Sequence, residues 1–83
     1  MSSITSSDLP QLVRTLRLRL NLSQVKFAKR LGVAFQTVNS WENGHNKPSR
    51  MAMKLIREQI DSLGEEGVDL LEKYCHLSTN SEL

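Results

Sequence analysis

An 83-residue chain with a formal net charge of +2 and 39% hydrophobic residues is sized for one small domain with a modest core. It holds no apolar run near the roughly 20 residues that a membrane span needs, and residues 1–7 lack the charged and apolar regions of a signal peptide. Its single cysteine, Cys75, excludes an internal disulfide and fits a reducing, cytoplasmic setting.

Met1–Ser7 reads as a polar, flexible N-terminal arm. Ser7 or Asp8 can then cap a first helix, with Pro10 tolerated in its first turn. Leu9, Leu12, Val13, Leu16 and Leu20 recur at helical spacing and give that helix a buried stripe. Asn21-Leu22 makes a short turn, and Ser23 is an N-cap candidate for a second helix. There Val25, Phe27, Ala28 and Leu31 form an apolar stripe, while Lys26, Lys29 and Arg30 face outward. Gly32 follows the last apolar residue, where a left-handed cap costs glycine nothing. Val33 is placed to pack beneath the turn. A third helix, from about Phe35 to Asn43, buries Val38 and Trp41 and ends at Gly44. Ala28 must be small because the third helix crosses the second there, and a larger side chain would overpack the crossing. Pro48 closes the next loop, Ser49 can cap a fourth helix over Arg50 to Leu63, and Met53, Leu55, Ile56 and Ile60 give it apolar contacts. Gly64 breaks it. Glu65 and Glu66 suit the start of a fifth helix carrying Val68, Leu70, Leu71 and Tyr74. Residues 77–83 read as a polar C-terminal tail. The expected fold is all-α, a compact bundle of about five helices occupying residues 8–76.

Residues 22–49 describe two short helices joined by a tight turn, the second with hydrogen-bonding side chains and almost no charge on its outer face. Such a helix can lie in the DNA major groove and touch base edges. Gln24, Ala28, Gly32, Val38, Trp41, the Glu42-Asn43-Gly44 helix end and Pro48-Ser49 together resemble the helix-turn-helix of the phage repressor and Cro family (XRE-type), with the motif at residues 23–43 of a lambda-repressor-like domain. The resemblance implies a bacterial or phage-type regulator. It places Phe35, Gln36, Asn39 and Ser40 on the base-reading face. Gln and Asn there can pair with adenine in bidentate fashion, and an aromatic edge can rest on a thymine methyl. It places Gln24, Asn43, His45 and Lys47 at phosphates, with Gln24 also bracing a reading side chain, and it makes Arg17 and Glu42 a structural ion pair. Two positions depart from the pattern. Ala34 stands where a hydroxyl or Asp is usual, so a cap of about 1 kcal/mol is missing. Phe35 stands where a polar reader is common, and either reads thymine methyls or packs sideways and leaves the reading to Gln36. His45 either meets a phosphate or sits in an exposed loop.

The charge is unevenly spread. Residues 9–57 hold ten Lys and Arg against Glu42 alone, a net +9, whereas residues 58–83 hold seven acidic residues against Lys73, a net −6. A basic lobe of this kind attracts phosphate without regard to sequence. Catalytic and metal readings find no support: Cys75-His76 offers two ligands where a structural zinc site needs four, and no phosphate loop or nucleophile motif is present. Trp41, at helical spacing from Val38, reads as core and not as a stacking platform. The expectation is therefore a non-enzymatic, cofactor-free, sequence-specific binder of double-stranded DNA. It should be a transcriptional regulator, most simply a repressor, acting as a homodimer at least on a palindromic operator. Leu70, Leu71 and Tyr74 are candidates for dimer contacts, or else pack onto their own domain. Two alternatives stand beside this: an antitoxin whose acidic C-terminal part grips a basic toxin, and a protein-docking module that has lost DNA reading.

Overall fold

The computed structural model describes the backbone of residues 8–82 and the side chains of residues 9–75. The proposed arm at residues 1–7, the capping side chain of Ser7 or Asp8, the His76 side chain and those of residues 77–82 lie outside the described residues. The elements are α1 (Asp8–Arg19), α2 (Gln24–Leu31), α3 (Phe35–Glu42), α4 (Arg50–Ser62), a 3-10 turn (Gly64–Gly67) and α5 (Val68–Glu82). The fold is all-α, with no strand among the described residues.

Each helix buries one stripe. Leu12, Val13 and Leu16 of α1 meet Phe27, Ala28 and Leu31 of α2, Val38 and Trp41 of α3, Ala52, Ile56 and Ile60 of α4, and Leu70 and Tyr74 of α5 in one continuous core. The intervals of three and four residues are those that bring side chains to one helix face. Phe27, with no exposed surface, is the largest of the fully buried side chains, and truncating such a residue to Ala typically costs about 3–5 kcal/mol.

Three successive helix ends are closed in the same way. At α1, Asn21 takes φ 64°, its N–H donates to Leu18 O and the Leu22 N–H donates to Arg17 O. At α2, Gly32 takes φ 75°, with Gly32 N–H on Lys29 O and Val33 N–H on Ala28 O. At α3, Gly44 N–H donates to Trp41 O and His45 N–H to Ser40 O. Each is the paired bond pattern that satisfies orphan carbonyls around a left-handed residue. Helix starts are less uniform. Ser23 Oγ accepts from the Lys26 N–H at 3.1 Å and Ser49 Oγ from the Ala52 N–H at 3.1 Å, while Ala34 offers α3 no side-chain acceptor.

The structure corrects two expectations. Val25, expected on the apolar stripe of α2, is 51% exposed in the first turn of that helix. α5 does not begin at Glu65. The chain first makes a 3-10 turn, in which Gly67 packs against α4 so closely that a Cβ there would lie 2.6 Å from Ile60 O. Of the two roles open to Leu70, Leu71 and Tyr74, the structure shows packing onto their own domain: Leu70 and Tyr74 are buried in the core and Leu71, partly buried, packs against it.

Glu42, with only 6% of its surface exposed, is the one charged residue buried among those described. Arg17 Nε donates to its Oε2 at 2.6 Å and Arg17 Nη2 to Oε1 at 3.0 Å, and Gln24 Nε2 also donates to Oε1 at 3.0 Å. Arg14 Nε stands 3.6 Å from the same oxygen, and Arg17 Nη1 reaches Leu22 O at 3.0 Å. One carboxylate thus ties α1, the following turn and α2 to the end of α3. Burial pushes the Glu42 carboxyl up, but the hydrogen bonds from Arg17 and Gln24 and the charges of Arg17 and Arg14 outweigh it, leaving the pKa below the ordinary 4.5.

Two tests follow. Gly32→Ala should lose about 1–2 kcal/mol through backbone strain alone, because nothing lies within 4 Å of the added Cβ, and Gly32→Asn should recover part of that loss. Gly67→Ala should lose about 1–3 kcal/mol through overpacking, and Gly67→Asn should give no rescue; urea unfolding of the four variants separates the causes. Glu42→Ala, which strands the Arg17 guanidinium, should lose about 3 kcal/mol at neutral pH. Since the folded pKa is depressed, the unfolded chain takes up the proton first. The contribution of Glu42 is complete above pH 4.5 and disappears as pH falls through the folded value. The gap in urea midpoint between wild type and variant should hold steady down to about pH 4.5, narrow between there and the folded value, and change no further below it.

Candidate nucleic-acid interface

α3 divides cleanly. Val38, Trp41 and Glu42 face inward, while Phe35, Gln36 and Asn43 are exposed and Asn39 and Ser40 are half-buried on the opposite side. The outward set carries three carboxamides, one hydroxyl and one aromatic ring, with no formal charge. Phe35 is 46% exposed, so its ring is not taken into the core. The Asn43 Nδ2 donates to Asn39 Oδ1 at 3.2 Å, an i,i+4 contact on the helix surface.

His45 and Lys47 are exposed in the loop after α3. The His45 N–H bond to Ser40 O, at 2.9 Å, holds the start of that loop against the helix end. Gln24 is placed differently from the expectation. It is half-buried at the start of α2, and its side-chain nitrogen donates to Glu42, not to one of the outward side chains of α3. It steadies α3 from within. Among the outward side chains it is Asn39 that accepts a side-chain hydrogen bond, from Asn43, an i,i+4 spacing readable in the sequence.

The structure also sorts the basic residues. Arg17 is consumed by Glu42, and its bond to that carboxylate, set against some burial, raises its own pKa. Arg19 Nη1 and Nη2 grip Asp69 at 2.6 and 3.0 Å, and Nη1 also donates to Glu66 O at 2.8 Å. Arg57 lies 3.8 Å from Asp61. Among the described residues, Lys26, Lys29, Arg30, Lys47, Arg50 and Lys54 are exposed and have no carboxylate within ion-pair distance. These cations lie on α2, the loop after α3 and the first turns of α4. They can therefore meet an anionic ligand without first breaking an internal pair. No group of three His, Cys, Asp or Glu side chains among the described residues is gathered as a metal site, and no described helix is long and apolar enough to cross a membrane.

Comparison with known proteins agrees with this geometry. Residues 13–63 match the helix-turn-helix family model HTH_3, a stretch that runs from within α1, through the α2–turn–α3 pair, to the end of α4. No curated protein and no solved structure gives a significant match. The matched segment covers more than half of the chain, and the chain belongs to the phage repressor and Cro, or XRE-type, helix-turn-helix family of DNA-binding transcription regulators.

Proposed function

We propose that this protein is a sequence-specific transcriptional repressor that lays α3 in the major groove of an operator. The observation that carries the reading is the outward face of α3, uncharged and rich in carboxamides, beside cations that no internal carboxylate neutralises. Gln36 and Asn39 present the donor–acceptor pairs that match adenine, Phe35 suits a thymine methyl, and Ser40 accepts or donates to either partner. Lys47 and His45 meet the backbone beside the helix end. Gln24 has one amide hydrogen left for a phosphate after its bond to Glu42. The exposed cations of α2 and α4 supply the sequence-independent attraction.

Two copies on a partly palindromic site, with half-sites about one helical turn apart, are the arrangement this motif usually serves. With Leu70 and Tyr74 taken into the monomer's own core, the second copy is recruited chiefly by the DNA. The antitoxin alternative draws on the exposed acidic residues of α4 to α5, but Asp69 is already held by Arg19, and surface carboxylates are well satisfied by water. No described feature favours it over the repressor.

Selection of duplexes from a random library, followed by salt-titrated binding of the winner, tests the proposal. A partly palindromic site should emerge. Gln36→Ala should lose about 1–3 kcal/mol of discrimination at one base pair, whereas Lys47→Ala should weaken binding to all duplexes alike and lower the salt slope by about one. Enrichment of no duplex over competitor DNA would refute sequence reading.

A further inference from the structure

We infer that Asn43 is a positioning residue for base specificity, its side-chain amide setting which way round Asn39 presents its own carboxamide to the DNA. The inference rests on the proposed reading of α3 and moves Asn43 away from the phosphate role its register implied. Three observations carry it. The Asn43 Nδ2 lies 3.2 Å from Asn39 Oδ1. The Asn43 backbone is itself fixed, since its N–H donates to Asn39 O at 3.1 Å and it takes φ −95°, ψ 0° at the helix end. Asn39 is half-buried, so its stem is held while its amide reaches the surface.

The physical need for such a brace is specific to carboxamides. The terminal torsion of Asn is soft and roughly two-fold, and its oxygen and nitrogen occupy nearly the same shape, so an unbraced Asn presents either atom at either edge. Adenine demands one arrangement: the amide nitrogen donates to the ring nitrogen in the major groove, and the oxygen accepts from the exocyclic amine. Guanine offers two acceptors there, and a freely turning amide can satisfy it with nitrogen alone. In the structure one lone pair of Asn39 Oδ1 is taken by Asn43. The other lone pair and both nitrogen hydrogens remain, which is the set adenine requires. Asn39 cannot turn by itself without giving up the bond. The ordering cost of the reader is thus met within the free protein, before DNA arrives.

The test is the base preference at each position of the selected site for wild type, Asn39→Ala, Asn43→Ala and Asn43→Asp, with thermal unfolding to show that each variant folds. Asn39→Ala identifies the base pair that Asn39 reads, as the one whose preference it flattens. Asn43→Ala should reduce preference at that same pair by about two- to tenfold, the range one neutral hydrogen bond is worth, and leave the others unchanged. Asn43→Asp can only accept, so it should draw the Asn39 nitrogen toward itself and turn the oxygen outward. Preference at that pair should then move toward cytosine, whose exocyclic amine donates, on top of a uniform loss from the added negative charge. If Asn43→Ala weakens all duplexes equally, or changes nothing, the brace is refuted while the repressor reading stands. If Asn39→Ala flattens no position, Asn39 is not a reader and the inference falls on its own. If wild type selects no site, both fall together.

Discussion

A carboxylate cannot be buried alone, and the architecture of this domain follows from that constraint at Glu42. Hydrophobic burial brings α1, α2 and α3 together but is non-directional, so it does not say how far α3 is rotated about its axis. The carboxylate does. Its two oxygens accept from Arg17 in a forked, side-by-side geometry and from Gln24 across the helix pair. Only one rotation of α3 satisfies all three bonds while Val38 and Trp41 stay in the core. The opposite face of α3 is then aimed outward by necessity. Arg17 could not be replaced by Lys without loss, because a point charge has no fork to match the carboxylate. Removal of either partner would leave a charge stranded in a nearly dry site.

Much of this was legible in the sequence because it rests on local rules. Helical spacing located the apolar stripes, Gly32 marked the turn between α2 and α3, and Ser23 and Ser49 marked two helix starts. Where the reading failed, the cause was non-local. Val25 fits the pattern of a stripe, but whether a rim position is covered depends on which neighbouring helix passes over it. Gly67 looks like any loop glycine until Ile60 O is seen beneath it. Gln24 is the clearest case at the site. Its position at the start of α2 is a matter of sequence, yet the acceptor it finds is chosen by the depth at which Glu42 sits. The pair Asn39 and Asn43 is the reverse, a local i,i+4 contact that spacing alone makes visible.

The charge asymmetry is likewise only half visible from composition. A net +9 over residues 9–57 overstates the free positive field, since Arg17 is spent on the core and Arg19 on α5. The Arg19 grip on Asp69 and the Glu66 carbonyl is largely exposed, and such pairs contribute little to stability. Its consequence is positional. It fastens the turn before α5 to the end of α1, and it lowers the Asp69 pKa through the Arg19 hydrogen bond. Apart from Lys73 of α5, the described cations with no ion pair are those of α2, the loop after α3 and the start of α4, so most of the unneutralised positive charge lies around the proposed reading helix.

α3 has little support from its own sequence. It is eight residues long, shorter than a helix that persists alone in water. Its start has no capping side chain. Its outward residues, Phe35, Asn39 and Ser40, are middling or poor helix formers, and none of them is needed by the core. The helix exists because its neighbours hold it: Val38 and Trp41 are buried, Glu42 is clamped, and Gly44 closes its end. A segment that takes its stability from its frame is free to carry side chains chosen for another purpose. Departures from local consistency are expected where a surface is shaped for a ligand. In this domain they gather on the one face that the Glu42 network turns outward.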